Sequence, residues 1–190
     1  MLSDSTPSSH GILWTVLYRM VRSARLDGKV FRSLREDTKA NGQSILVLGL
    51  GGLFFGSGIA FSLGADLQSV LLFAVLGMVA TVLIGFLWLT LTFFVGTRVL
   101  GGTSSYWGLA RPLFFSFSPA PLFLLTLIPV WPVPELAVSA AVAWISVASV
   151  IAVKNSLGID NQRSLVAFII AALVIIFLYG FFQSVVSFSF

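Results

Sequence analysis

The chain has 190 residues, of which 57% are hydrophobic, and its 11 Lys and Arg and 7 Asp and Glu make up only 9% of the sequence. Soluble domains are about 25% charged, so this composition excludes a free-standing soluble enzyme and indicates a protein of the lipid bilayer. The net charge of +4 does not indicate nucleic-acid binding, because the basic residues border apolar runs instead of forming a dense face on a soluble module.

Residues 1–43 are predicted to form a cytoplasmic amphipathic helical segment, since they hold 11 of the 18 charges. From Ile12 to Leu26, apolar side chains recur on one side of a helix and arginines on the other, a pattern typical of a helix in the membrane interface. These arginines are candidate contacts for anionic lipid or for a partner protein: Arg19, Arg22 and Arg25. The alternative is that the segment only lies on the inner leaflet or packs under the bundle.

A second, shorter helix is expected after Asp27, whose carboxylate is suited to cap a helix N-terminus. Val30, Phe31 and Leu34 would form its apolar stripe. Asn41 and Gly42 are expected to end it before the first membrane span.

Residues 44–190 are predicted to form the membrane domain. A hydrocarbon core about 30 Å thick requires about 20 apolar residues per crossing, and five stretches fit this requirement. The predicted spans are 44–63, 69–97, 116–131, 136–153 and 165–187. The fold class is therefore an all-α integral membrane protein with a five-helix transmembrane bundle.

Small residues recur at every fourth position of the first span and create a groove for close helix packing. They are Gly52, Gly56, Ala60 and Gly64. Packing within one chain is the first interpretation, and homo-oligomerisation is the alternative.

Prolines set the limits of the third predicted span. Proline is best tolerated in the first turn of a helix, so Pro119 and Pro121 predict a helix start with Ser118 as its cap. Arg111 would then lie in an inner loop at the membrane boundary, as a positively charged anchor or as a contact for a lipid phosphate or a partner.

The distribution of charge predicts the orientation. With a cytoplasmic N-terminus, the inner segments 1–43, 98–115 and 154–164 contain all 11 Lys and Arg residues, and the outer segments contain only Asp66 and Glu135. The positive-inside rule therefore places the C-terminus outside.

No catalytic, cofactor-binding or metal-binding residue is predicted. The chain has no cysteine, and its one histidine, His10, has no partner at metal-ligand spacing. Because no ionisable side chain lies within the spans as drawn, ion pumps and proton-coupled transporters are also disfavoured.

Three stretches together resemble a known family. They are Arg25, Leu26, Asp27, Phe31, Asp37 and Asn41–Gln43; Tyr106–Pro121; and Trp144, Ala152, Lys154, Leu157 and Gly158. Over residues 19–180 the chain is similar to prokaryotic members of the Yip-domain family, the Rab-GTPase-interacting membrane proteins.

The resemblance implies a non-enzymatic integral membrane protein. Eukaryotic members bind prenylated Rab GTPases and act in vesicle traffic, but this chain lacks their acidic, aromatic cytosolic motifs. We therefore expect a multi-pass protein of the bacterial plasma membrane, a scaffold or adaptor that binds anionic lipid or a partner protein at its cytoplasmic face. The alternative is a transporter or channel for a small neutral or lipid-like solute, because discontinuous helices often mark transport sites.

Overall fold

The computed structural model describes residues 11–187, and side chains are described as far as residue 178. The described residues form helices joined by short turns, with no strand among them. The α-helices are α1 (Ile12–Ala24), α2 (Gly28–Glu36), α3 (Asn41–Ser62), α4 (Leu67–Phe94), α5 (Tyr106–Phe115), α6 (Val133–Leu157) and α7 (Asn161–Ser187). Within this part of the chain, five helical segments are long and apolar enough to cross a membrane, which confirms the predicted fold class.

Helices α1 and α2 precede the first span. The carboxylate of Asp27 accepts a hydrogen bond from the Lys29 backbone N–H at 2.8 Å, so the predicted cap of α2 is confirmed. The predicted end of this region is wrong, because Asn41 and Gly42 form the first turn of α3. The chain turns earlier, at Asp37, whose side chain caps a short 3-10 helix, Thr38–Ala40, by accepting from the Lys39 backbone N–H.

Helices α3 and α4 form a tightly packed antiparallel hairpin. The connection turns at Gly64, whose φ of +68° is rarely adopted by residues that carry a side chain. Asp66 then caps α4, because its carboxylate accepts a hydrogen bond from the Ser69 backbone N–H at 3.1 Å. Helix α4 continues into a π-helical turn, Val95–Val99, so the helical segment extends to residue 99.

The third span differs most from its prediction. It begins at Tyr106 instead of residue 116, because Ser105 caps α5 by accepting from the Gly108 backbone N–H at 3.0 Å. A 3-10 helix, Ala120–Leu127, completes the crossing. Ser118 is not a cap, since its hydroxyl donates back to the Phe115 carbonyl.

The third span lies at the centre of the bundle. Its 18-residue apolar window is 72% buried, against 17% for the second span. Leu109, Leu113 and Phe114 pack with side chains of α3, α4 and α6 in the main hydrophobic core. The other spans therefore surround this one, and α4 presents most of its surface outward.

Candidate functional site

The candidate site is the end of the bundle that carries the basic residues. We call it the basic end and define it as residues 12–40, residues 95–105 and residues 154–163. Hydrogen bonds join its parts: Arg32 Nη1 donates to Asn155 Oδ1 at 2.7 Å, and Arg35 Nη2 donates to the Thr103 carbonyl at 2.7 Å. The Thr103 backbone N–H in turn donates to the Leu157 carbonyl at 2.9 Å. Segments distant in sequence therefore form one surface.

Two of the three predicted contact arginines on α1 bind groups of the chain itself. Arg19 Nη1 donates to Gln43 Oε1 at 2.7 Å, and Nη2 forms an ion pair with Asp37. Arg22 Nε donates to Asp27 Oδ2 at 2.8 Å. Arg25, in contrast, is exposed.

The aspartates of these pairs have lowered pKa values. The hydrogen bond from Arg22 is the main cause of the lowered pKa of Asp27. Burial alone would raise the pKa of Asp37, but hydrogen bonds from Arg19 and the Lys39 backbone N–H outweigh this effect and lower it. Both carboxylates are therefore ionised at neutral pH and hold Arg19 and Arg22 in ion pairs within the chain.

The opposite side of α1 presents apolar and aromatic side chains at the surface. Six apolar and aromatic side chains of α1 are more than half exposed: Ile12, Leu13, Trp14, Leu17, Tyr18 and Val21. Tyr18 borders the arginine side, because its hydroxyl accepts a hydrogen bond from Arg22 Nη1 at 2.9 Å. The end of the helix is attached to α6, where Trp144 Nε1 donates to the Ala24 carbonyl at 2.7 Å. Trp144 lies near the middle of α6, so the apolar side of α1 adjoins the surface of a membrane-spanning helix.

Arg111 is the most deeply buried charged residue among those described, with 4% of its surface exposed. Its Nε donates to Asn41 Oδ1 at 2.6 Å, and its Nη1 donates to the carbonyls of Leu34 and Arg35 at 3.2 and 2.7 Å. Carbonyls in the last turn of a helix have no partner within the helix, so Arg111 completes the C-terminus of α2. One guanidinium thus joins α5 to α2 and α3.

Arg111 lies within a helix, whereas the sequence predicts an inner loop at this position. Arg111 belongs to the candidate membrane-spanning segment Tyr106–Leu127. The sequence predicts a loop there because Pro119 and Pro121 favour a helix start further along the chain. A cation enclosed by apolar neighbours could instead have signalled a buried, hydrogen-bonded role.

Several cations of the basic end remain available. Within residues 11–187, four exposed basic side chains make no hydrogen bond or ion pair: Arg25, Lys29, Lys39 and Arg98. Those of α2, Arg32 and Arg35, use their guanidinium groups on Asn155 and Thr103. Only some of the eleven basic side chains are therefore available to a ligand.

The predicted packing stripe lies mostly between α3 and α4. A Cβ on Gly52 would lie 2.4 Å from the Gly77 carbonyl oxygen, and one on Gly56 would lie 2.0 Å from the Phe73 carbonyl oxygen. Ala60 is fully buried. Gly64 differs from the prediction, since it lies beyond the end of α3 and a Cβ there would have no neighbour within 4 Å.

A cavity of about 340 Å³ lies within the bundle, between α4 and α6. Its lining is almost entirely apolar and aromatic. Hydroxyl groups contribute at Thr81, Ser146 and Ser149. In the described part of the chain, no group of His, Cys, Asp or Glu side chains could hold a metal ion, and His10 lies outside the described residues.

Comparison with known proteins identifies a domain that spans most of these features. The family model of the Yip1 domain matches residues 22–182, a range that includes α2, Arg111 and the cavity. No curated protein and no solved structure matches the chain.

Proposed function

Because this chain belongs to the Yip1 domain family, we propose that it is a non-enzymatic membrane scaffold or adaptor whose basic end binds anionic lipid headgroups and presents a surface to a partner protein. The observation that supports the proposal is a set of exposed basic side chains on a surface whose helices are fixed by internal hydrogen bonds. Arg25, Lys29 and Lys39 are exposed, whereas Arg111 fixes α2 beneath them.

The fixed arrangement of α2 supports a binding role. Phe31 and Leu34 are buried, and Arg111, Arg32 and Arg35 each attach the helix to another element. A surface that is already ordered loses little conformational entropy when it binds a ligand. Near an anionic membrane, each Lys or Arg contributes about 1 kcal/mol of attraction.

Helix α1 adds an apolar contact with the membrane. Its exposed side carries Leu13, Trp14 and Leu17, and its attachment to Trp144 brings that side next to the lipid-facing surface of α6. An amphipathic helix gains membrane affinity from apolar burial together with nearby basic residues. We therefore place α1 in the interface, with Arg19 and Arg22 paired within the protein and Arg25 exposed.

Lipid enrichment around the full-length protein tests the proposal. The protein is reconstituted into nanodiscs with equal amounts of phosphatidylcholine and phosphatidylglycerol, and retained lipids are measured by native mass spectrometry after gentle extraction. We expect phosphatidylglycerol to be enriched. Replacing Arg25, Lys29 and Lys39 by alanine should reduce the enrichment by about a hundredfold, since three cations at about 1 kcal/mol each contribute about 3 kcal/mol and about 1.4 kcal/mol corresponds to a factor of ten.

The control variant, Asp66→Asn with Glu135→Gln, changes charge at the other end of the bundle and should keep the enrichment. Equal phosphatidylglycerol binding by both variants would contradict the lipid part of the proposal. Point substitutions are preferable to removing residues 1–43, because that truncation would expose Arg111 and the buried surface of α5.

We also propose that the N-terminus is cytoplasmic, the C-terminus is outside, and the membrane is the plasma membrane of a bacterium. The support is the one-sided distribution of Lys and Arg, which lie at positions 19–39, 98, 111, 154 and 163. The family resemblance of the chain supports the bacterial placement.

The cavity bears on the alternative of a transporter or channel. An apolar lining offers no hydration to a polar solute, so a route for polar molecules receives no support. A lipid-like solute is compatible with it, and flux of a fluorescent lipid across reconstituted liposomes would distinguish this function from a scaffold.

A further inference from the structure

The cavity within the bundle is enclosed by elements from five segments of the chain. Gly51 of α3 and Gly85 of α4 line it, together with Leu113, Phe114 and Phe117 of the third span. Two aromatic pairs belong to the lining: Trp88 packs with Phe168 at a ring distance of 5.0 Å, and Phe55 packs edge-to-face with Phe123 at 5.2 Å. Aromatic side chains from four of the five segments therefore contribute to the wall of the cavity.

The opening of the cavity faces the membrane. Ile84 of α4 and Val142 of α6 both line it, and each is 49% exposed. Both residues lie in the central part of candidate membrane spans, Leu67–Val99 and Val133–Leu157. The medium beside this opening is consequently the hydrocarbon of the bilayer.

The serines of the lining are already satisfied within the protein. Ser146 Oγ donates to the Val142 carbonyl at 2.8 Å, and the hydroxyls of Ser149 and Ser116 share a hydrogen bond of 2.8 Å. Polar groups of a bound ligand would therefore lose their hydrogen bonds with water and find few new ones in the cavity. The chemistry of the wall selects an apolar guest.

We propose that this cavity is a lipid-binding site that holds one acyl chain of a bilayer lipid, which enters sideways between α4 and α6. An apolar cavity of about 150 Å³ takes up benzene, and this one, of about 340 Å³, suits a segment of a flexible chain. Water is excluded by the apolar lining, whereas acyl chains surround the opening. The site is separate from the exposed cations of the basic end.

Photocrosslinking in nanodiscs tests the assignment. Full-length protein is placed in palmitoyl-oleoyl phosphatidylcholine that contains a small fraction of phosphatidylcholine with a diazirine midway along one acyl chain. After irradiation, the labelled residues are mapped by mass spectrometry. We expect the strongest labelling at cavity residues such as Phe117 and Ile145, above that of exposed residues such as Leu83 on the outer side of α4.

A filled cavity provides the matched comparison. Ser146→Phe adds bulk at a lining position whose hydroxyl only bonds its own helix, and Ser139→Phe adds the same bulk at an exposed position of α6 outside the lining. We expect Ser146→Phe to reduce labelling of Phe117 and Ile145 at least fivefold, and Ser139→Phe to leave it unchanged.

Two results would overturn the proposal. One is labelling of the wild-type protein that is no stronger at the cavity residues than on the exposed side of α4, a result that does not depend on any variant. The other is unchanged cavity labelling in a Ser146→Phe protein whose thermal unfolding midpoint remains at the wild-type value.

Discussion

At the scale of single residues, Arg111 shows how a charge can be stable inside an apolar segment. Its guanidinium replaces water with two backbone carbonyls and one amide oxygen, at distances between 2.6 and 3.2 Å. The sequence could not reveal these partners, because backbone carbonyls exist at every position and the ones used lie more than 70 residues away. Only the packing of α2 against α5 selects them.

Replacing Arg111 by methionine should destabilise the protein by about 3 kcal/mol. Methionine fills the space of the arginine's methylene stem, but it leaves the buried oxygens that accept from the guanidinium without a hydrogen-bond donor. Arg98→Met is the matched control, because Arg98 is exposed, and it should change stability by less than about 0.5 kcal/mol. Thermal unfolding in a mild detergent measures both variants. Equal midpoints would show that the buried hydrogen bonds of Arg111 contribute no net stability.

The ion pairs of α1 predict an acid-sensitive attachment. The pKa values of Asp27 and Asp37 are lower in the folded protein than in the unfolded chain. The stabilisation that these two ionised aspartates give to the folded state is therefore complete above the unfolded pKa of about 4, and it is lost as the pH falls through the lower folded values. A spin label on Leu17→Cys can report this, since the natural chain has no cysteine. We expect constant label mobility from pH 8 to about 5 and greater mobility below about 4.

The control for this titration carries Asp27→Asn and Asp37→Asn together with the label. Its mobility should already be high at neutral pH and should change little with acid. A mobility that stays constant down to pH 3 in the labelled parent would show that these aspartates do not hold α1 in place.

At the scale of elements, the hairpin of α3 and α4 depends on close backbone approach. Spacing by four residues predicted which side of α3 is small, and Gly52 and Gly56 indeed face α4 of the same chain. The fourth member, Gly64, instead supplies the positive φ of the connecting turn. Sequence spacing identifies one face of a helix but not the residue at which the helix ends. Small residues such as glycine are common both in packing faces and in turns, so the pattern alone does not distinguish the two.

Gly56→Ala should destabilise this hairpin by roughly 1–3 kcal/mol, because its Cβ would approach the Phe73 carbonyl oxygen to 2.0 Å and α4 would have to move. The matched control is Gly42→Ala in the first turn of α3, where a Cβ has no neighbour within 4 Å. That variant should be neutral or slightly more stable, owing to the higher helix propensity of alanine. Unfolding midpoints compare the pair, and equal loss in both would contradict close packing at Gly56.

The third span illustrates a limit of periodicity at this scale. Arg111 and Pro112 are both unfavourable within an isolated membrane helix, and Pro119 and Pro121 predict that the helix starts after them. In the structure both lie within α5 and are buried. A central position lets neighbouring helices satisfy the charge, and this compensation is a tertiary effect.

At the scale of the whole molecule, the segregation of charge is the main organising feature. Parts of the chain far apart in sequence meet at the basic end, for example where Arg163 Nη1 donates to the Leu100 carbonyl at 3.3 Å. Asp66 and Glu135 lie at the N-terminal ends of α4 and α6. The C-terminal ends of these two helices lie at the basic end. The molecule is thus polarised along the direction of its spans.

This polarity predicts the topology. A reporter enzyme that is active only outside the cytoplasm should be active when fused after Phe190 and silent when fused after Ser156, in the last turn of α6. A reporter that fluoresces only in the cytoplasm should give the reverse pattern and serves as the control. The opposite results would contradict the proposed orientation.

The sequence by itself determined the class, the five spans and the separation of charge, because these follow from composition and from runs of apolar residues. Asp27 as a helix cap was also predictable, since capping uses groups only a few residues apart. Tertiary structure alone decided the partners that bury Arg111 within the third span, the pairing of Arg19 with Asp37 and Gln43, and the apolar cavity between α4 and α6. Each of these depends on atoms brought together from distant parts of the chain, which local patterns do not encode.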